Sequence, residues 1–268
     1  MKKGFIILIF ISMLLVLFFS GCIGNESPVA VSILKEDGFT NQALYFHSSL
    51  SSDSDGNIVS YTWDFGDGAS KTLDKQGLFH KYERPGNYKV NLTVVDEEGS
   101  SHSTSSFVNI LSSTDDDENG VPDDWGNAPN FILNTLEDET YRLSDFFGKV
   151  VILDLMGVDC IYCVYMMPVL KAISENYSRF DLAIMSIDVY PYETEEYLQS
   201  FVDWFYTEYD MDLDWIFGMD SDGSISNNYV KGGGVPKLAI IDQNGNIYYS
   251  FTGYTEYSVI ASKLDEII

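Results

Sequence analysis

The segment Lys149-Val150-Val151-Ile152-Leu153-Asp154-Leu155-Met156 is almost continuously apolar, and four residues after it comes Cys160-Ile161-Tyr162-Cys163. A short apolar run without period-two alternation reads as a strand covered on both faces, the kind found inside a parallel sheet. Such a strand needs helical crossovers. The residues that follow supply them: Leu182 to Ile187 and Lys237 to Ile241 repeat the apolar run, and Leu198, Phe201, Val202 and Phe205 recur at helical spacing. Asn244-Gly245 marks a two-residue hairpin turn before Ile247 to Phe251. This half of the chain is predicted to be α/β.

The two cysteines then fall at a strand-to-helix corner, on a helix that runs to about Asn176 and is broken or bent at Pro168. A helix N-terminus offers partial positive charge and free N–H groups, which favour a Cys160 thiolate able to attack a disulfide. Cys163, one turn on, can close the pair. Two ligands do not make a structural zinc site, and residues 127–268 hold no other cysteine and no histidine, since His47, His80 and His102 all lie upstream. His80 and His102 read as a turn and a surface histidine, with no G-x-S-x-G motif beside them to suggest a hydrolase.

Length and charge narrow the rest. A chain of 268 residues has room for about two domains. Lys plus Arg is 15 against 41 Asp plus Glu, and the net charge of −26 repels polyanions, which excludes nucleic acid as the main partner. The third cysteine, Cys22, closes a basic start and an apolar run from Phe5 to Phe19, the form of a signal segment, too short to span hydrocarbon comfortably. Phe19-Ser20-Gly21-Cys22 resembles a lipobox. The resemblance implies that residues 1–21 are a signal peptide and that Cys22 is lipidated. Residues 22–27 then form a lipid-anchored tether on the extracytoplasmic face of the cell membrane; an uncleaved anchor would give the same placement. Asn91-Leu92-Thr93 and Asn176-Tyr177-Ser178 match an N-glycosylation pattern that chance readily supplies.

Residues 28–112 show no helical period. Tyr88, Val90, Leu92 and Val94 alternate with polar neighbours, as do Tyr61, Trp63 and Phe65, and turn signals recur at Asp55-Gly56, Gly66-Asp67-Gly68, Pro85-Gly86 and Glu98-Gly99. An immunoglobulin-like β-sandwich is predicted. Tyr61-Thr62-Trp63-Asp64-Phe65-Gly66-Asp67-Gly68, His80-x-Tyr82 and Pro85-Gly86-Asn87-Tyr88 through Asp96 resemble a PKD domain, which implies a spacer or contact module without a catalytic centre. Composition shifts at residues 113–126, an acidic linker. There Asp115, Asp117, Asn119 and Asp123 have the spacing of a calcium loop, similar to those of thrombospondin-type-3 and dockerin-like linkers. Bound calcium would stiffen the joint; a merely solvated acidic spacer is the alternative reading.

In residues 127–268 the order Ala128-Pro129-Asn130-Phe131, Leu143 to Val151, C-x-x-C, Pro168, Gly234-Val235-Pro236 and Asp242 to Gly245 resembles the TlpA/ResA-like branch of the thioredoxin superfamily. That resemblance implies a thioredoxin-like fold and thiol-disulfide exchange with protein thiols and disulfides, with an unidentified redox partner and no required cofactor. Cys160 would be the nucleophile, Cys163 the resolving thiol, and Asp154 a buried carboxylate relaying the proton of Cys163. Pro236 would be a cis-proline facing the pair, with Val235 and Tyr162 meeting the substrate. Asp159 stands where tryptophan is usual and opposes thiolate formation, so a reducing pair is predicted. Two other readings stay open: a non-enzymatic surface protein whose C-x-x-C is a local disulfide, and a thiol peroxidase, which lacks the Pro-x-x-x-Thr-x-x-Cys sequence it would need.

Overall fold

A computed structural model describes residues 25–35, 37–112, 126–230 and 233–268. The signal segment, Cys22 and the proposed calcium ligands Asp115, Asp117, Asn119 and Asp123 lie outside those residues.

The first half is a sandwich of eight strands: β1 (Ile33–Leu34), β2 (Asp37–Phe39), β3 (Leu44–His47), β4 (Ile58–Asp64), β5 (Ser70–Leu73), β6 (Gly77–His80), β7 (Gly86–Asp96) and β8 (Ser101–Leu111). They form two sheets, β1-β3-β6 and β2-β8-β7-β4-β5. The alternating residues of β4 and β7 point inward, so Tyr61, Trp63, Val90, Leu92 and Val94 pack with Phe46 and Phe65 in one core. Gly66, at φ 78°, allows that turn to lie against the backbone of Lys89, where a Cβ would collide. Two readings need correction. His80 ends strand β6 rather than lying in a turn, its ring stacked on Phe65 at 3.8 Å and its Nε2 within 2.8 Å of Asp67 Oδ2. Asn25, counted with the tether, donates to Asp96 and Ser100 and so belongs to the sandwich.

The second half begins with β9 (Ile132–Asn134), β10 (Thr140–Arg142) and a single 3-10 turn at Leu143–Phe146. It continues through β11 (Val150–Met156), α1 (Ile161–Asn176), β12 (Leu182–Asp188), α2 (Glu195–Tyr209), β13 (Ile216–Met219), α3 (Ser224–Tyr229), β14 (Lys237–Ile241), β15 (Ile247–Thr252) and α4 (Tyr257–Leu264). The sheet order is β13-β12-β11-β14-β15, with β11 parallel to β12 and antiparallel to β14. Every residue of β11 and β12 is buried, as their unalternating sequences demand. Val150, Ile152 and Met156 face α1, α2 and α4, while Val151, Leu153 and Leu155 face the other side. Helix α1 is not broken at Pro168: the buried stripe Cys163, Met166, Met167, Leu170 and Ile173 holds it through the one missing N–H. The β14–β15 connection is longer than two residues, because Asp242 closes it by accepting from the N–H groups of Asn244 and Asn246, with Gly245 at φ 77°. Among the described residues no helix is long and apolar enough to cross a membrane.

The two halves share a core. Ala43, Tyr45 and Phe79 of the sandwich pack with Tyr141, Phe146, Val151 and Leu153 beneath the five-stranded sheet. Ala43 N–H donates to the Asp145 carbonyl (2.6 Å), Tyr141 Oη donates to the Phe79 carbonyl (3.1 Å), and Lys81 Nζ reaches Asp145 Oδ2 (2.5 Å). The sandwich therefore covers the sheet face opposite the α1 helix.

Candidate active site

The corner between β11 and α1 is built by the backbone before any side chain acts. Cys160 is the N-cap of α1, in extended conformation, and its carbonyl accepts the first helical bond from Val164 N–H (3.1 Å). Its sulfur accepts from Cys163 N–H at 3.2 Å, so one of the unsatisfied donors of the helix start points at the sulfur. Cys160 and Cys163 are joined as a disulfide with Cα atoms 5.1 Å apart. Cys160 is half-buried and Cys163 fully buried, so of the two residues only Cys160 has surface in contact with solvent.

Asp154 shares the α1-facing side of β11 with Ile152 and Met156, in the core that also holds Cys163. Its register partner on β12 is Ser186, whose hydroxyl donates to Asp154 Oδ2 (2.8 Å) and accepts from Trp215 Nε1 (3.0 Å). The other carboxylate oxygen, Oδ1, has no hydrogen-bond partner among the described residues, and no cation neutralises the group. Burial pushes the Asp154 carboxyl up to about 7, against a small opposing effect of the Ser186 hydrogen bond. A group in that state can hold or give up a proton near neutral pH.

The peptide between Val235 and Pro236 is cis. Lys237 pairs with Leu155 across β14 and β11, so one further step of that register sets Pro236 level with Met156, at the end of the sheet where the cysteine loop begins. Val235 packs on the same apolar cluster as Cys160 and Val158. Tyr162, between the cysteines, is 58% exposed.

One element of this corner is absent from the sequence reading. Glu193, buried on the loop between β12 and α2, accepts from the N–H groups of Val158 (2.9 Å) and Asp159 (3.1 Å), so a single carboxylate brackets the loop that delivers Cys160. Asp188, at the end of β12, is buried beside it; burial, together with the neighbouring Glu193 carboxylate, pushes its carboxyl up to about 8. Nothing in the local pattern Tyr190-Pro191-Tyr192-Glu193 separates this Glu from the exposed Glu195 and Glu196. Its only signal is long-range: it sits past the end of the strand paired with β11, where the C-terminal edge of the sheet forms the corner. Asp159 is exposed and accepts from Tyr197 Oη (2.7 Å).

Residues 25–110 match the PKD domain model and residues 125–268 match the Redoxin model. The second half is 28% identical over 140 residues to the thiol-disulfide oxidoreductase ResA of Geobacillus thermodenitrificans, covering 52% of this chain and 75% of that protein. The first half is similar to a part of much larger proteins: collagenase ColQ1 of Bacillus cereus is 39% identical over 113 residues, which is 41% of this chain but 11% of the collagenase. This chain thus spans about a tenth of the length of those relatives. Among solved structures, a thioredoxin-like protein from Aeropyrum pernix aligns with a TM-score of 0.44 at 24% identity, over 52% of this chain and 89% of that one. The Redoxin match covers more than half of the chain, which therefore belongs to the Redoxin family, a thioredoxin-like oxidoreductase domain preceded by a PKD domain.

Proposed function

We propose that the protein reduces disulfides of other proteins through Cys160 and Cys163, on the extracytoplasmic side of a membrane to which a lipid on Cys22 tethers it. The observation that carries the reading is the half-buried Cys160 at the start of α1, disulfide-bonded to a fully buried Cys163. In the reduced form the Cys160 thiolate attacks one sulfur of a client disulfide, forming a mixed disulfide and releasing the client's other sulfur as a thiolate. Cys163 then loses its proton and attacks Cys160. The client leaves as a dithiol, two electrons have passed to it, and the internal disulfide is restored. Asp154, with one free oxygen and a carboxyl poised near neutrality, takes the proton of Cys163. A dithiol donor regenerates the reduced pair. Val235 and Tyr162 border the attacking sulfur and meet the client chain.

The exposed carboxylate of Asp159 next to Cys160 favours the protonated thiol over the thiolate. A pair whose reduced form is not stabilised as thiolate gives up its electrons readily, which supports the reducing direction. The test is turnover of insulin disulfides with dithiothreitol by the full chain: wild type active, Cys160→Ser inactive. Equal inertness of both proteins would leave only a structural disulfide on a surface protein.

A further inference from the structure

The corner is surrounded by exposed tyrosines. Tyr162 and Tyr165 on α1 meet edge to face at 6.3 Å, and Tyr190 and Tyr192 stack at 5.2 Å on the far side of the cysteine loop. Tyr190 lies against Gly157, where a Cβ would enter its ring, and Tyr197 is fixed to Asp159, the neighbour of Cys160. Thr255 N–H donates to Met166 Sδ (3.3 Å), which brings Tyr254 alongside α1. Of these, Tyr162, Tyr165, Tyr192, Tyr197 and Tyr254 are between 44% and 67% exposed, far more aromatic surface than a solvated face needs.

Most of the formal charges on this surface are negative. Asp159, Glu195, Glu196 and Glu256 are exposed around the corner. From Val150 to Val230 the sequence contains only two cationic residues, Lys171 and Arg179, and both are engaged by Asp214, at 3.5 and 2.7 Å. Lys237, next to Pro236, donates to Thr252 Oγ1 (3.1 Å). Tyrosine faces attract cations through their quadrupole, and carboxylates at the rim steer them from further away.

We propose, building on the redox reading above, that this surface selects clients whose disulfide cysteine is flanked by lysine or arginine. Tyrosines offer broad contact at small entropic cost, and the acidic rim gives them a preference that a neutral apolar segment would not satisfy. The occupant is an extended cationic polypeptide segment laid across Tyr162 and the Tyr190–Tyr192 pair.

Three peptides of equal length, each with one internal disulfide flanked by Lys, Gln or Glu, discriminate the alternatives. Their reduction by the pre-reduced full chain is followed in single turnovers at about 20 mM and about 500 mM salt. The Lys-flanked peptide is expected to react about tenfold faster than the Gln-flanked one at low salt, and the gap to close to about twofold at high salt, because screening shortens the reach of the rim. The double substitution Glu195→Lys/Glu196→Lys is expected to shrink the Lys-to-Gln ratio at low salt. Equal rates for Lys and Gln peptides, or a preference indifferent to salt, would overturn the selectivity while leaving disulfide reduction intact. Inertness toward all three peptides would overturn the redox reading and this inference with it.

Discussion

The two faces of the five-stranded sheet each bury an aspartate, and the two are treated in opposite ways. Asp145, on the face covered by the sandwich, is given a counter-charge and a backbone donor: Lys81 Nζ at 2.5 Å and Arg142 N–H at 2.7 Å. Asp154, on the face covered by α1, has a single hydroxyl donor and no cation among the described residues. Both carboxyls are raised by burial, but at Asp145 the lysine works against the rise, whereas at Asp154 nothing of comparable strength does. A buried carboxylate with a cation fixes two pieces of chain together; one without a cation becomes a proton store close to neutral pH. The sheet thus separates a structural face from a chemical one.

Breaking the structural face should give the largest effects. Phe79→Ala empties a site packed against Tyr45 and Phe146 and is expected to cost about 3–5 kcal/mol in urea unfolding, with both halves losing structure in one transition. Separate transitions, with the second half unmoved, would show that the shared core couples nothing. Lys81→Ala leaves Asp145 buried without its cation. The expected loss is about 3 kcal/mol at pH 7, the low end for such a pair because Lys81 keeps some contact with water, and the loss should diminish as pH falls and the raised carboxyl of Asp145 takes a proton.

On the chemical face the sign reverses. A carboxyl raised from 3.8 to about 7 binds its proton more tightly folded than unfolded, so its contribution to stability is lost as pH rises from about 4 through 7. Asp154→Asn is accordingly expected to stabilise the protein at pH 8 by up to about 4 kcal/mol and to leave it unchanged near pH 4, measured by denaturant unfolding. The same variant should flatten the rise with pH in the rate at which Cys163 resolves a mixed disulfide, a readout that packing alone would not alter. The smallest effect belongs to the loop bracket. Glu193→Gln keeps one acceptor where two N–H groups need one each, so a loss of about 1 kcal/mol is expected, together with faster hydrogen exchange at Val158 and Asp159.

The legible part of the molecule is the part encoded locally. A strand without alternation, C-x-x-C at its end and Gly-Val-Pro before the last strands each carry their signal within a few residues, and the structure brings Cys160, Cys163 and the Val235–Pro236 peptide to one end of the sheet. Two features were not read. Glu193 reaches Val158 and Asp159 from the far side of a helix and a strand, and no local periodicity records a contact of that range. The interface between the halves did leave a trace: in Ala43-Leu44-Tyr45-Phe46 and Leu78-Phe79 neighbouring residues are all apolar, so both faces of β3 and β6 need cover. A sandwich standing alone as a spacer would show polar residues at Tyr45 and Phe79. The hairpin length and the unbroken run of α1 through Pro168 departed from the turn and breaker signals because a side-chain cap and a buried stripe outweighed them.

The central claim is that Cys160 is the sulfur that meets the client. Intact-mass measurement of the reduced full chain carrying Cys163→Ser, after exposure to a Lys-flanked disulfide peptide, tests it directly. One peptide covalently bound, released by dithiothreitol and mapped to Cys160, is the predicted result; an unmodified chain that reacts only after unfolding would contradict the account.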